Sequence, residues 1–225
     1  MKNRFFCMKK VAAGIDIGGT NTVFAWISEV GEIQWSNSVS TTSFSNAKAL
    51  VSEVCNQLKS NLSGEAVGLG VGAPSANFYT GCIEFAPNLK WGDVVPLREY
   101  FVDEMQLPTI VTNDANAAAI GEQVYGVAKG MKDFMMVTLG TGLGSGFVAN
   151  GELIYGHDGF AGELGHTIIE PNGRPCGCGR KGCLETYASA TGMEQTALEA
   201  ENNYKNYKII YRYRRAEELD MHSDN

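Results

Sequence analysis

The sequence predicts an α/β chain built as two similar lobes, and three observations carry that expectation. Short apolar runs of strand length alternate with segments of helical periodicity. Two of the strands end in glycine-rich turns, Gly18-Gly19-Thr20-Asn21 and a second from Gly140 to Gly146, and each turn leads directly into a return strand. Residues 11–17 read as a buried strand, residues 22–27 as its antiparallel neighbour, and residues 33–40, after a turn at Gly31, as the third strand of a meander. Over residues 45–60 the side chains Ala47, Leu50, Val51, Val54 and Leu58 recur at the spacing of one helix face, so this helix is expected to cover the sheet. Residues 66–72, bounded by Pro74, have the pattern of a buried parallel strand.

Residues 108–112 give another short strand, with Asn113 and Asp114 at its carboxyl end and a helix over 115–125 after them. Open α/β sheets bind ligands at such strand ends. The opening of the chain is then repeated by a strand at 134–139, the second glycine turn, a return strand to Ala149 and a type I′ hairpin turn at Asn150-Gly151. The lobes are expected at residues 11–115 and 116–198. An N-terminal extension at 1–10 and a tail at 199–225 flank them; the tail is rich in Tyr, Asn, Lys and Arg and lacks apolar periodicity.

Composition narrows the function. An apolar fraction of 44% is ordinary for a globular protein, and the net charge of −7 argues against nucleic acid, whose phosphates need a basic surface. No segment reaches membrane-spanning length, and the apolar run before Asp16 is too short for a secretory signal. The cysteines outside the segment described next, Cys7, Cys55 and Cys82, are odd in number and form no disulfide framework, so a cytoplasmic location is expected.

The segment ELGHTIIEPNGRPCGCGRKGCLE, residues 163–185, brings His166, Cys176, Cys178 and Cys183 into one compact stretch. Three thiolates and one imidazole complete a closed tetrahedral Zn²⁺ site, which is a structural type of site. A disulfide knot is the alternative, disfavoured because Cys176 and Cys178 are only two residues apart. Pro175, Gly177, Gly179 and Gly182 let the chain turn tightly enough to aim three sulfurs at one point. Glu163 and Glu185 flank the segment, where a rigid loop can hold carboxylates for a polyhydroxylated ligand; solvated surface glutamates are the plainer reading.

Glycine turns after strands can offer backbone N–H groups to phosphate oxygens, with Thr20 and Thr141 adding hydroxyls. Neither turn matches a P-loop, since no Gly-Lys-Ser/Thr follows. Asp16 would repel a polyphosphate unless a divalent cation stood between them, and Mg²⁺ suits that place. Asp114, at a strand end and a helix start, is the candidate base; its plainer role is to cap the helix.

The segments DIGGTNT (16–22), NDANAAAIGE (113–122), TLGTGLGSG (138–146) and 163–185 together resemble the ROK family of bacterial sugar kinases and repressors, over about residues 11–198. The resemblance implies the actin-like, hexokinase-like (ribonuclease H-like) ATPase fold, with two lobes closing on ATP and a hexose. Glucokinase-like members are the most similar, partly through APNLKW at 86–91, which implies ATP-dependent phosphorylation of a hexose, glucose to glucose 6-phosphate first, by a homodimer. Carried onto this numbering, it makes Asp114 the general base and has Asn88, Asn113, Glu163, His166 and Glu185 hydrogen-bond the sugar. His166 would give its other ring nitrogen to zinc. Gly18, Gly19, Thr20, Gly140, Thr141 and Gly142 would embrace the phosphates, and Asp16 would orient Mg²⁺.

Family members continue past the zinc segment with further helices and an adenosine site. Here the similarity is expected to fade near Leu198, leaving the second lobe incomplete and the adenine pocket missing. Two rival functions share these motifs: a sugar-binding protein that no longer transfers phosphate, and a kinase for an N-acetylhexosamine or fructose. The DNA-binding version is not expected, because only ten residues precede the first strand.

Overall fold

The computed structural model describes residues 9–86 and 89–203. They group into two compact units. The first runs through Val137 and takes in Gly144–Glu163; the second comprises Thr138–Leu143 and the chain from Leu164 onward. These units cut the chain differently from the lobes expected at 11–115 and 116–198. Much of the strand after the second glycine turn goes with the first unit, because it packs tightly there: a Cβ on Gly146 would lie 2.7 Å from Ala119 Cβ.

The first unit is organised on a five-stranded sheet. Its strands are β1 (Lys10–Ile17), β2 (Asn21–Ser28), β3 (Ile33–Ser40), β4 (Glu65–Ala73) and β7 (Thr109–Asn113), in the order β3-β2-β1-β4-β7. The hairpin pairs β1–β2 and β2–β3 are antiparallel, whereas β1–β4 and β4–β7 are parallel. Between β4 and β7 lie the short strands β5 (Ile83–Glu84) and β6 (Val94–Val95), and α2 (Leu97–Met105). The helix α1 (Ala47–Ser60) precedes β4, and α3 (Asp114–Val124) follows β7.

Alternation decides which side chains enter the core. Val11, Ala13, Ile15 and Ile17 of β1 are buried with Leu50, Val51, Val54 and Leu58 of α1 and with Leu97 and Phe101 of α2. Asn46 starts α1 by accepting the Ala49 N–H at 2.9 Å, supplying the cap that helix ends need. The fully buried Trp26 donates its indole N–H to the Leu58 carbonyl at 2.9 Å, so the sheet is tied to α1 by a polar bond as well as by apolar contact. The opposite face of the sheet meets α3 at the carboxyl end of β4. Gly72 permits this, since a Cβ there would stand 3.2 Å from Ala117 Cβ.

The strands β8 (Phe134–Leu139), β9 (Leu143–Ala149) and β10 (Glu152–Leu153) form a separate sheet in the order β10-β9-β8. Asn150 and Gly151 both have positive φ, 55° and 84°, as the expected type I′ turn requires. The second glycine turn is shorter than the 140–146 expected: β9 begins at Leu143, which leaves Gly140, Thr141 and Gly142 outside the strands.

The second unit contains the tip of that hairpin, a 3₁₀ turn at Leu164–His166, the irregular segment after it, α4 (Glu185–Ala188) and α5 (Ala190–Asn203). Helix α5 runs past Leu198 into the start of the expected tail at 199–225, most of which lies outside the described residues. Among the described residues no helix is long and apolar enough to cross a membrane. Leu50 sits at the centre of the α1 face. Leu50→Ala is expected to cost about 2–5 kcal/mol in urea denaturation, the range for a large core side chain cut to Ala; a loss below about 1 kcal/mol would mean that α1 is not packed as described.

Candidate functional site

Parallel pairing aligns the carboxyl ends of β1, β4 and β7 in the first unit. Asp16 pairs in register with Gly72, Gly72 with Thr112, and Ala73 with Asn113. Asp114 follows as the first residue of α3. Asn113 is the N-cap: its side-chain oxygen accepts from Ala115 N at 2.9 Å and Asn116 N at 3.4 Å. The plainer role considered for Asp114 is therefore filled by its neighbour. Asp114 adds only an Oδ1 contact to Ala115 N at 2.8 Å, and its side chain is on an exposed residue. A carboxylate at this position gains from the positive end of the helix dipole.

Asp16 and Asp114 sense each other. The Asp16 carboxyl is held above its ordinary value of 3.8, first by burial and then by the negative charge of Asp114. Two carboxylates in this relation repel each other, and Asp16 holds its proton longer for it.

The glycine turns belong to different units. In the first, Gly18 donates to Asn21 O at 2.9 Å, and a Cβ on Gly18 would fall 2.9 Å from that same oxygen. In the second, Gly140 donates to Gly142 O at 3.0 Å. The amides of Gly18 and Gly140 thus close their own turns. The second turn is also strapped to the α4–α5 junction: Ala190 N donates to Gly140 O at 2.9 Å and Thr191 Oγ1 to Thr141 O at 2.6 Å.

Within the second unit, His166, Cys176, Cys178 and Cys183 converge, their ligand atoms all within 4.8 Å of one another. Cys178 Sγ lies 3.7 Å from Cys183 Sγ, and Cys176 Sγ 3.5 Å from His166 Nδ1. Tetrahedral zinc with ordinary bond lengths separates two sulfurs by about 3.8 Å and a sulfur from a nitrogen by about 3.5 Å, so the donor set fits that ion. The loop needs its glycines. Gly182 has φ 76°, and a Cβ there would come within 1.7 Å of Glu170 O. Burial opposes ionisation of Cys178, but the Arg180 side chain and backbone outweigh it and bring the thiol down to about 6. Burial and then the Glu185 carboxylate push the Cys176 thiol up.

Glu185 begins α4 with one oxygen 2.9 Å from Cys176 Sγ and 3.5 Å from His166 Nδ1. Its other oxygen lies 3.5 Å from Leu143 N, beside the second glycine turn. His166 turns Nδ1 to the cluster. Glu163 closes the first unit and is described with it. Asn88 lies outside the described residues.

Sequence reasoning missed Arg174. Its guanidinium donates to Thr186 O at 2.7 Å, Gly192 O at 3.1 Å and Thr196 Oγ1 at 3.0 Å, pairs with Glu199 at 2.5 Å, and lies 4.5 Å over the Tyr187 ring. It ties the cysteine loop to α4 and α5, and no pattern in the sequence signals it. Ser189 was more legible, as a cap residue before a helix: its hydroxyl accepts from Gly192 N at 3.0 Å.

The Asp16–Asp114 pair gives a titration prediction. Asp16 binds its proton more tightly folded than unfolded, so stability falls as pH rises from 3.8 through the raised value. Asp114→Asn removes the second cause, and carboxyl ¹³C NMR should find Asp16 titrating lower in that variant while burial keeps it above 3.8. An unmoved Asp16 titration would show that the two carboxylates do not interact.

Comparison with known proteins agrees with this geometry. A model of the ROK family matches residues 12–222, past Leu198, where the resemblance was expected to fade. A glucokinase of Halalkalibacterium halodurans is 40% identical over 208 residues, covering 89% of this chain and 63% of its own length. A xylose repressor of Bacillus subtilis is 35% identical over 144 residues, covering 64% of this chain and 37% of its own. The crystal structure of a ROK family glucokinase from Streptomyces griseus in complex with glucose and AMPPNP superposes with a TM-score of 0.74 at 35% identity. It covers 87% of this chain and 62% of that one. The chain thus spans about three fifths of the length of the glucokinases it matches. The α/β architecture is accordingly the ribonuclease H-like, hexokinase-like fold, and the chain belongs to the ROK family.

Proposed function

We propose that this chain carries the sugar and phosphate machinery of an ATP-dependent hexose kinase, with glucose as the first substrate to test. The observation that supports it most is the placement of Asp114 on the first turn of α3, at the carboxyl end of a parallel strand and in electrostatic reach of Asp16. A base in that position accepts the proton of the attacking sugar hydroxyl. Asn113 keeps its amide nitrogen for the same sugar while its oxygen caps α3. Asp16 would orient Mg²⁺, which neutralises charge on the transferring phosphoryl group. The glycine turns Gly18-Gly19-Thr20 and Gly140-Thr141-Gly142 serve the phosphates through the N–H groups that do not close the turns. Phosphoryl transfer asks mainly for positioning and charge neutralisation, and these residues supply both.

The second unit would hold Zn²⁺ through His166 Nδ1, Cys176, Cys178 and Cys183. The ion's part is to fix the loop, so that His166 Nε2 and Glu185 meet the sugar at set positions. The reducing cytoplasm suits such a set of free thiolates. A Cys178 thiol near 6 is already ionised at neutral pH and needs little proton release to bind metal.

The test is a coupled ADP-release assay over a panel of hexoses, including N-acetylhexosamines and fructose. Asp114→Asn should lower kcat by about 10²–10⁴-fold with hexose affinity nearly unchanged, because the amide keeps the shape and cannot accept the proton. A rate within about tenfold of the parent would remove Asp114 from the role of base. A parent that binds hexose by calorimetry yet releases no ADP would favour the sugar-binding reading. Elemental analysis should find zinc in the purified chain, and Cys178→Ser should lose it along with hexose affinity. A zinc-free parent with full hexose affinity would contradict the metal assignment.

A further inference from the structure

The loop after β4 and the loop after β10 in the first unit are fastened to each other by side chains outside every motif discussed above. Asn77 is buried although polar, at 3% exposure. Its amide nitrogen donates to Asp158 O at 2.8 Å, across 81 positions of sequence. Its oxygen accepts from Tyr79 N at 2.9 Å and Thr80 N at 3.4 Å. The opposing chain is shaped to receive it: Gly159 has φ 90°, and a Cβ there would lie 2.5 Å from Asn77 Oδ1. Two further contacts run in parallel. Phe78 stacks on Tyr155 with centroids 4.0 Å apart and planes at 14°, and Tyr79 donates its hydroxyl to Gly156 O at 2.9 Å. Arg98 braces the first loop from below, donating to Phe78 O, while its own N–H bonds Gly81 O at 2.9 Å.

The fastened segment has a destination. Tyr155 is half-buried, with its phenol beside Thr112 on β7, two residues before Asp114. Four residues beyond Gly159 the segment reaches Glu163, and Ser145 of β9 donates to Gly162 O just before it. The clasp therefore sets the path of the chain that carries Glu163 relative to the strand that carries Asp114. A surface loop without such a constraint samples many positions, and a carboxylate held to within about half an ångström is what a sugar site needs.

We infer that Asn77 is a positioning residue for the hexose site, acting through the 154–162 loop to fix Glu163. The inference rests on the hexose reading above, and it extends it to a residue that touches no substrate. Asn77→Asp isolates the cross-loop bond: the carboxylate still accepts from Tyr79 N and Thr80 N, and it replaces the donor to Asp158 O with a repelling oxygen. Tyr79→Phe removes the second tie at an exposed site, where folding is not in question.

The experiment measures hexose KM, kcat, calorimetric hexose affinity, urea midpoint and amide hydrogen exchange for the parent and both variants. Asn77→Asp should raise hexose KM and Kd by about tenfold, as one lost hydrogen bond plus repulsion carries. It should speed exchange across residues 156–162 and leave kcat within about threefold, because Asp114 is untouched. Tyr79→Phe should move the same quantities in the same direction by about two- to threefold. A purely structural role would lower the urea midpoint without changing hexose affinity in the folded protein, and that result overturns the inference. So does unchanged exchange across 156–162 in both variants. If the parent itself binds no hexose, the proposed function fails first and the positioning role fails with it, which separates that case from a parent that binds and variants that match it.

Discussion

Parallel pairing of β1, β4 and β7 is the constraint on which the first unit depends. Three strands that run the same way must end on the same edge, and these end in Asp16-Ile17, Ala73 and Asn113, with Asp114 following as the first residue of α3. The sheet thereby gathers two carboxylates that stand 98 positions apart in sequence. The cost shows in Asp16, whose carboxyl is kept above its usual range by burial and by Asp114. Small residues make the arrangement possible. Gly72 and Ala117 let α3 approach β4, and Gly146 lets β9 approach Ala119, so the helix that presents Asp114 is gripped from two directions. Core packing and site chemistry are in this sense one problem, solved by the absence of side chains.

The second unit solves a different problem with different means. It has little apolar core of its own among the described residues, and its order comes from convergence: four ligand atoms on one point, and Arg174 reaching four partners on α4 and α5. Glu185 stands between the cysteine cluster and the Gly140–Gly142 turn. The cysteine cluster and the second glycine turn are therefore linked through one side chain. A short irregular loop cannot bury enough surface to order itself by packing alone, so side-chain convergence of this kind carries its order.

Much of this was legible in the sequence because it rested on period and on residue chemistry. The α1 face, the meander and the Asn150-Gly151 turn were written in apolar spacing and in the left-handed preference of Asn-Gly. The His/Cys cluster was written in its ligands. Helix α2 was not, since LREYFVDEM shows only Leu97 and Phe101 fully buried and ends at Gln106 in a left-handed conformation with no glycine to mark it. Arg174 and Asn77 were also hidden. Each acts through contacts at long sequence separation, and a single Arg or Asn in a loop looks the same whether it is solvated or buried among carbonyls. The full extent of the glycine turns was misjudged for a related reason: Leu143-Gly144 continues a strand, and glycine content alone cannot say where pairing resumes.

The proposed kinase reading puts a nucleotide-bound cation at the parallel-strand edge bearing Asp16 and Asp114. Paramagnetic broadening by Mn²⁺ with ATP tests it most directly, because the effect falls steeply with distance and needs no turnover. Amide signals of Asp16, Gly18, Gly19 and Asp114 should broaden selectively on adding Mn²⁺ with ATP, while those of Lys59 and Ser60 at the far end of α1 stay sharp. Broadening confined to other residues, or none at saturating nucleotide, would contradict the account.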